Sequence, residues 1–189
     1  SRRMNEGLFS AYGALPQWKT LLQAAQAGEC IALAGLADGE KPFLAAALAH
    51  RTGRPVLLLS PTELVAQKQA QDIQRLVGGG AAMLPARDVQ FSRAAASQES
   101  TWQRLQVLGD AAAGRVKVLC LSAEGILDRC SSAARFRDAA VRLAEGRTAP
   151  LTALLDHLTR MGYERVPMVE GKGQCAVRGS ILDVFPPSE

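Results

Sequence analysis

The sequence predicts an α/β fold: a parallel sheet with helices on both faces, followed by a second, smaller α+β unit. Three observations carry this. Short apolar runs recur at residues 30–34, 56–59 and 116–121, the last interrupted only by Lys117, the pattern of strands covered on both faces. Between them lie stretches whose apolar residues recur at helical spacing, so that strand and helix alternate. After Cys130 the alternation stops, and short, closely spaced strand-like runs take over near the C-terminus.

The elements follow in order. Residues 15–27 form a first helix with Trp18, Leu21, Leu22 and Ala25 on its apolar stripe, Pro16 in its first turn and Gly28 as C-cap. Residues 30–34 form a buried strand, 35–42 a loop and 43–50 a helix. Residues 54–59 form the next strand. Ser60-Pro61-Thr62-Glu63 then reads as a capping box with proline at the first helical position, opening a helix that ends in Gly78-Gly79-Gly80. Residues 82–84 make a short strand, 92–113 a long helix with Trp102, Leu105 and Leu108, and 116–121 a strand after which Ser122 caps a short helix. This degenerate P-loop-like unit spans residues 1–130.

The second unit is assigned to residues 131–189, beginning in the small polar stretch Ser131-Ser132-Ala133-Ala134-Arg135. Residues 139–144 are expected as a strand. Residues 148–161 form an amphipathic helix with Leu151, Leu154, Leu155 and Leu158 on one face. A hairpin is expected between 165–169 and 174–178 across the turn Glu170-Gly171-Lys172-Gly173, with a last strand at 181–185 before Pro186-Pro187. That strand ends so near the last residue that the sheet is expected to be truncated.

Composition narrows the function classes. Of 189 residues 48% are apolar and 21% charged, which excludes a disordered chain, and the apolar runs are far shorter than the ~20 residues that span a bilayer. The basic start Ser1-Arg2-Arg3 lacks an apolar secretory core behind it. Four widely spaced cysteines, Cys30, Cys120, Cys130 and Cys175, lack metal-ligand spacing and fit a reducing compartment, with Cys30 and Cys120 as buried small hydrophobes. His50 and His157 stand alone as ordinary core-edge or surface residues. A net charge of +4 is spread along the chain and aromatics are 5%, so neither a basic stripe nor a stacking platform for nucleic acid is visible. The chain reads as cytoplasmic and monomeric, without metal or cofactor.

The loop after the first predicted strand is the one segment in phosphate-binding register. Gly35-Leu36-Ala37-Asp38-Gly39-Glu40-Lys41-Pro42 aligns with GxxxxGK[ST], matching only at Gly35 and Lys41. Glu40 replaces the second glycine, and its charge at ~4 Å would repel a phosphate by a few kcal/mol at an effective dielectric near 20. Pro42 replaces the magnesium-holding Ser/Thr and has neither the hydroxyl nor the N–H. Leu119-Cys120-Leu121-Ser122 stands where a metal-holding Asp is needed. The sequence therefore predicts a loop that does not bind ATP.

The string Gly162-Tyr163-Glu164-Arg165-Val166, continued by Val169-Glu170-Gly171-Lys172-Gly173-Gln174-Cys175-Ala176-Val177-Arg178-Gly179-Ser180-Ile181-Leu182-Asp183-Val184-Phe185-Pro186, closely resembles the GYERV…VEGxGQFAVRGGILDVFP segment of the bacterial transcription-repair coupling factor family. The related UvrB proteins share a shorter version. Leu84-Pro85-Ala86-Arg87-Asp88 and residues 116–127 extend the likeness, which is loose before Ala81. The resemblance implies a UvrB-like first domain with a decayed Walker loop, followed by an inserted UvrA-binding domain. It also implies a piece of a larger protein, lacking the translocase motor and the RNA-polymerase-binding domain, so that RNA polymerase and DNA would be reached only through the absent parts. The long Tyr-rich hairpin with which UvrB clamps DNA has no counterpart in residues 85–97, where Phe91 is the only aromatic.

Carried over to matching positions, the family's UvrA-binding residues are Arg165, Arg178 and Phe185. Cys175 departs from the usual Phe and Ser180 from the usual Gly, so local packing of the hairpin is expected to differ. The resulting reading is an adaptor that recruits UvrA and has no catalytic residue. Two other readings are a UvrB-like ATP-dependent damage-recognition factor, tested by nucleotide titration, and a DNA-binding module, tested by a salt-dependent mobility shift on plain duplex.

Overall fold

The computed structural model describes residues 2–87 and 94–187. The expected short loop around Phe91 lies outside the described residues. Eight helices and six strands are described: α1 (Arg2–Gly13), α2 (Pro16–Ala27), α3 (Lys41–Thr52), β1 (Val56–Ser60), α4 (Glu63–Val77), β2 (Ala81–Leu84), α5 (Ala94–Ala112), β3 (Val118–Ser122), α6 (Ala123–Leu127), α7 (Ala133–Ala139), α8 (Leu151–Arg160), β4 (Glu164–Arg165), β5 (Gln174–Arg178) and β6 (Ile181–Phe185). None of the described helices is long and apolar enough to cross a membrane.

β1, β3 and β2 form a parallel sheet in that order. Their period of two sorts the side chains onto two faces. Val56, Leu58, Ala81, Met83, Val118 and Cys120 pack with α1–α4, around Trp18, Leu21, Leu44 and Ile73. Ala82, Leu84, Leu119 and Leu121 face the other way, onto Val107 and Leu108 of α5. Coverage of this second face stops short of β1, whose Leu57 and Leu59 are 62% and 53% exposed. The expectation of helices on both faces holds, with one strand bare on one side.

The local signals explain the helix limits. Gly28, Gly53 and Gly78 close α2, α3 and α4 in the left-handed conformation, each N–H bonding back to a carbonyl of the last turn. At α4 the capping residue is Thr62, not Ser60: its hydroxyl accepts the Val65 N–H at 3.3 Å, and the helix begins two residues later than the capping-box reading implies. Ser60 instead ends β1 buried and donates to Gln69 Oε1 at 2.5 Å. Ser122 caps α6 as expected, accepting from Gly125 N at 3.1 Å.

Three expectations are corrected. Residues 30–34 do not form a strand: they are exposed, Cys30 included, and pair with no described strand, leaving the outer edge of β1 without a partner among the described strands. An apolar run becomes a strand only where a neighbour supplies the ladder. Residues 139–144 are not a strand either. α7 ends at Ala139, packs against α5, and is followed by exposed irregular chain up to Pro150. Finally, the turn at 170–173 does not make a hairpin, for β4 and β5 run parallel, with Glu164 opposite Gln174 and Arg165 opposite Cys175. Pro167 has no N–H for a ladder, which limits β4 to two residues.

Arg104 of α5, almost wholly buried, donates to the Pro85 carbonyl beyond β2 and pairs with Asp128 at 3.3 Å beyond α6. Asp128 also accepts the Arg87 N–H at 2.7 Å. One charge pair thus fastens α5 to the carboxyl ends of both strands it covers. His50 stacks on Phe9 with ring centroids 4.8 Å apart, and His157 Nε2 lies 2.9 Å from the Ala139 carbonyl, so both histidines serve packing. α1, which the sequence reading left without structure, contributes Phe9 and Tyr12 to the core.

Candidate docking site

The second sheet holds the predicted docking residues. β5 and β6 are antiparallel and joined by Gly179-Ser180, with Arg178 opposite Ile181. Gly179 has φ of +63°, the requirement of a two-residue turn with glycine at its first central position. Ser180, at the position where the family has Gly, needs no positive φ. The segment before β5 is held by the Gln174 side chain, whose Oε1 accepts from Glu170 N at 2.9 Å and Gly171 N at 3.0 Å.

Register assigns the faces. Residues paired across strands point to the same side, so Glu164, Gln174, Ala176, Arg178, Ile181, Asp183 and Phe185 share one face, while Arg165, Cys175, Val177, Leu182 and Val184 share the other. Arg178 and Phe185 therefore share a face, at opposite ends of the hairpin: Arg178 pairs with Ile181 beside the turn, Phe185 with Gln174 at the far end. Arg165, exposed on the edge strand, springs from the opposite face. There it lies near the buried Cys175 thiol, whose pKa is raised by burial and pulled back by the Arg165 charge. Cys175 is fully buried, so the small thiol in place of a family Phe leaves the strand centre closed.

Arg178 is exposed and turned toward Asp183. Its Nε and Nη2 both donate to one oxygen, Asp183 Oδ2, at 3.0 and 2.6 Å. This is a side-on pair, and the end-on fork of Nη1 and Nη2 is the part that a second carboxylate can take. Ile181, directly across from Arg178, is 59% exposed, so an apolar side chain stands in solvent beside a charged one. Phe185 is half-buried on the same face. Ile181 and Asp183 were not singled out from the sequence. The signal was present, because a two-residue turn puts positions 178, 181, 183 and 185 on one side.

The other candidate segment, residues 35–42, is solvent-exposed up to Lys41 apart from the half-buried Leu36, and its charges are paired within the loop. Glu40 accepts the Ala37 N–H at 2.9 Å, and the Glu40 N–H bonds the Ala37 carbonyl at 2.9 Å, closing a turn. Lys41 pairs with Asp38 at 2.7 Å, which lowers the Asp38 pKa through the hydrogen bond and charge of that lysine. Pro42 is buried in the first turn of α3. Gly35 keeps a positive φ of +82°. Tyr12 of α1 has its hydroxyl pKa raised by burial and by the Glu40 charge. Among the described residues no group of three or more His, Cys, Asp or Glu is arranged to hold a metal.

A small sheet that exposes Arg178 and Ile181 at its turn end, carried by an α/β unit, has the character of an interaction module. Residues 141–189 match the family model described as the UvrB interaction domain. The chain is also similar to transcription-repair-coupling factors: 28% identical over 156 residues to that of Bacillus subtilis (strain 168), covering 82% of this chain and 13% of the relative, and 29% identical over 171 residues to that of Myxococcus xanthus, covering 86% and 14%. It is 24% identical over 194 residues to the UvrABC system protein B of Thermosipho africanus, covering 94% of this chain and 29% of that protein. The family resemblance read from the sequence is shown by these matches. The chain spans less than a third of the length of any of these three relatives.

Proposed function

We propose that this chain is the UvrA-docking part of a transcription-repair coupling factor, an adaptor with no ATPase activity of its own. The observation that carries the reading is the coincidence of the UvrB interaction domain match with a hairpin whose turn end exposes Arg178 and Ile181, with Phe185 half-buried farther along the same face. Arg165 joins from the edge strand. Arginine forks beside apolar anchors are what protein hot spots use, and nothing in this set performs covalent chemistry. RNA polymerase and DNA would be engaged by other parts of the longer protein. The direct test is equilibrium binding of purified UvrA to this chain on a sensor surface. Saturable binding lost on Arg178→Ala supports the reading, and no UvrA binding at tens of micromolar sinks it.

The UvrB-like alternative requires nucleotide in the 35–42 loop. Internal bonds to Glu40 and Lys41 weigh against it, because a phosphate would have to displace both. Calorimetric titration with Mg-ATP is expected to show no binding, and micromolar affinity would revive the alternative. Glu40→Gly with Pro42→Thr would restore the missing ligands if the backbone keeps its shape.

A further inference from the structure

Trp102 of α5 stands against the docking sheet at Gly173. A side-chain carbon built on Gly173 would lie 3.2 Å from Trp102 Cζ2 and 3.6 Å from its Cε2 and Nε1, so the indole occupies the space that a side chain there would need. Gly173 also has φ of +77°, a conformation open to glycine. Its backbone is the junction of the sheet. The Gly173 carbonyl accepts the Glu164 N–H at 2.9 Å, fastening the strand that carries Arg165, and the Gly173 N–H donates to the Phe185 carbonyl at 2.8 Å, fastening the end of β6. One residue thus ties both outer strands to β5, and one aromatic ring from another element rests on it.

We infer that Trp102 is a positioning residue for the docking sheet. By packing on Gly173 it holds the two hydrogen bonds that set Arg165 and Phe185 relative to Arg178, and it fixes the sheet against α5. α5 is itself anchored by the Arg104–Asp128 pair, so the contact of Trp102 on Gly173 refers the sheet to the parallel-sheet unit. The exposed irregular chain between α7 and α8 offers no comparable support. The inference rests on the docking reading for what the sheet binds, while the clasp itself can be tested without any partner.

The test is amide hydrogen exchange on the isotope-labelled chain, wild type against Trp102→Ala. The clasp predicts that the Glu164 and Gly173 amides exchange about tenfold faster or more in the variant, while Val118 and Cys120 in the parallel sheet keep their protection. A folded Trp102→Ala whose Glu164 and Gly173 amides exchange within about twofold of wild type overturns it. Should the alanine variant fail to fold, Trp102→Phe carries the same comparison, with a smaller increase confined to the same two amides supporting the clasp and none overturning it. With purified UvrA, Trp102→Ala is expected to weaken binding about three- to tenfold, and Phe to restore most of it. Unchanged UvrA affinity despite faster exchange would remove the positioning role. Retention of UvrA by Arg178→Ala, measured alongside, would instead remove the docking reading and leave the clasp standing.

Discussion

The chain contains two Arg–Asp pairs of similar chemistry in opposite surroundings. Arg104 and Asp128 lie inside the parallel-sheet unit, the arginine side chain 7% exposed, with its guanidinium also on the Pro85 carbonyl. Arg178 and Asp183 lie on the hairpin, the arginine side chain 59% exposed and held side-on by a single carboxylate oxygen. Desolvation makes the first pair intolerant of losing a partner, because the remaining charge is stranded away from water. Solvent makes the second nearly neutral to folding, which leaves its arginine free to serve recognition. Burial, not residue type, separates the structural pair from the pair proposed for docking.

Asp128→Ala breaks the comparison at its strongest point. It strands Arg104 and is expected to cost about 3 to 5 kcal/mol of stability. A urea titration checks this, and a loss under about 1 kcal/mol would mean that water reaches Arg104 freely. Next in size is Arg178→Ala, which should cost roughly 2 to 4 kcal/mol of UvrA binding with an unchanged melting midpoint. Arg178→Lys should fail in the same assay, since an ammonium cannot reproduce a fork that serves two carboxylates at once.

Phe185→Ala sharpens the boundary between the two behaviours. The ring is half-buried, so truncation should cost about 1 to 2 kcal/mol of stability, less than the 3 to 5 of a fully buried ring, and weaken UvrA binding as well. Thermal melts and binding curves on one preparation separate the two losses. A drop in midpoint without loss of binding would assign Phe185 to the core. The smallest effect belongs to Asp183→Asn, which loosens Arg178 and should lower UvrA affinity only a few-fold while moving stability by under about 1 kcal/mol. An increase in affinity would show that Asp183 competes with the partner instead of orienting Arg178.

Much of this was legible in the sequence, and the misses share a cause. Helix ends at Gly28 and Gly78 and the strand at β3 follow from local rules, since glycine caps and buried apolar runs act over a few residues. Residues 30–34 obey the same local rule and yet stay unpaired, because strand formation depends on a neighbouring edge that no local pattern specifies. The parallel pairing of β4 with β5 was hidden for the same reason: a Gly-rich turn signals reversal, but Pro167 and the Gln174 side chain decide how the chain returns. At the site, motif likeness supplied Arg165, Arg178 and Phe185, but only the register places Arg165 on the far face and brings Ile181 and Asp183 beside Arg178.

The central claim, that this sheet docks UvrA through its arginines, is tested most directly by calorimetric titration of UvrA into wild type and into the Arg165→Ala, Arg178→Ala double variant. The account predicts measurable binding for wild type and a loss of more than about a hundredfold for the double variant, with superimposable thermal melts. A folded double variant that binds UvrA at wild-type affinity would contradict it.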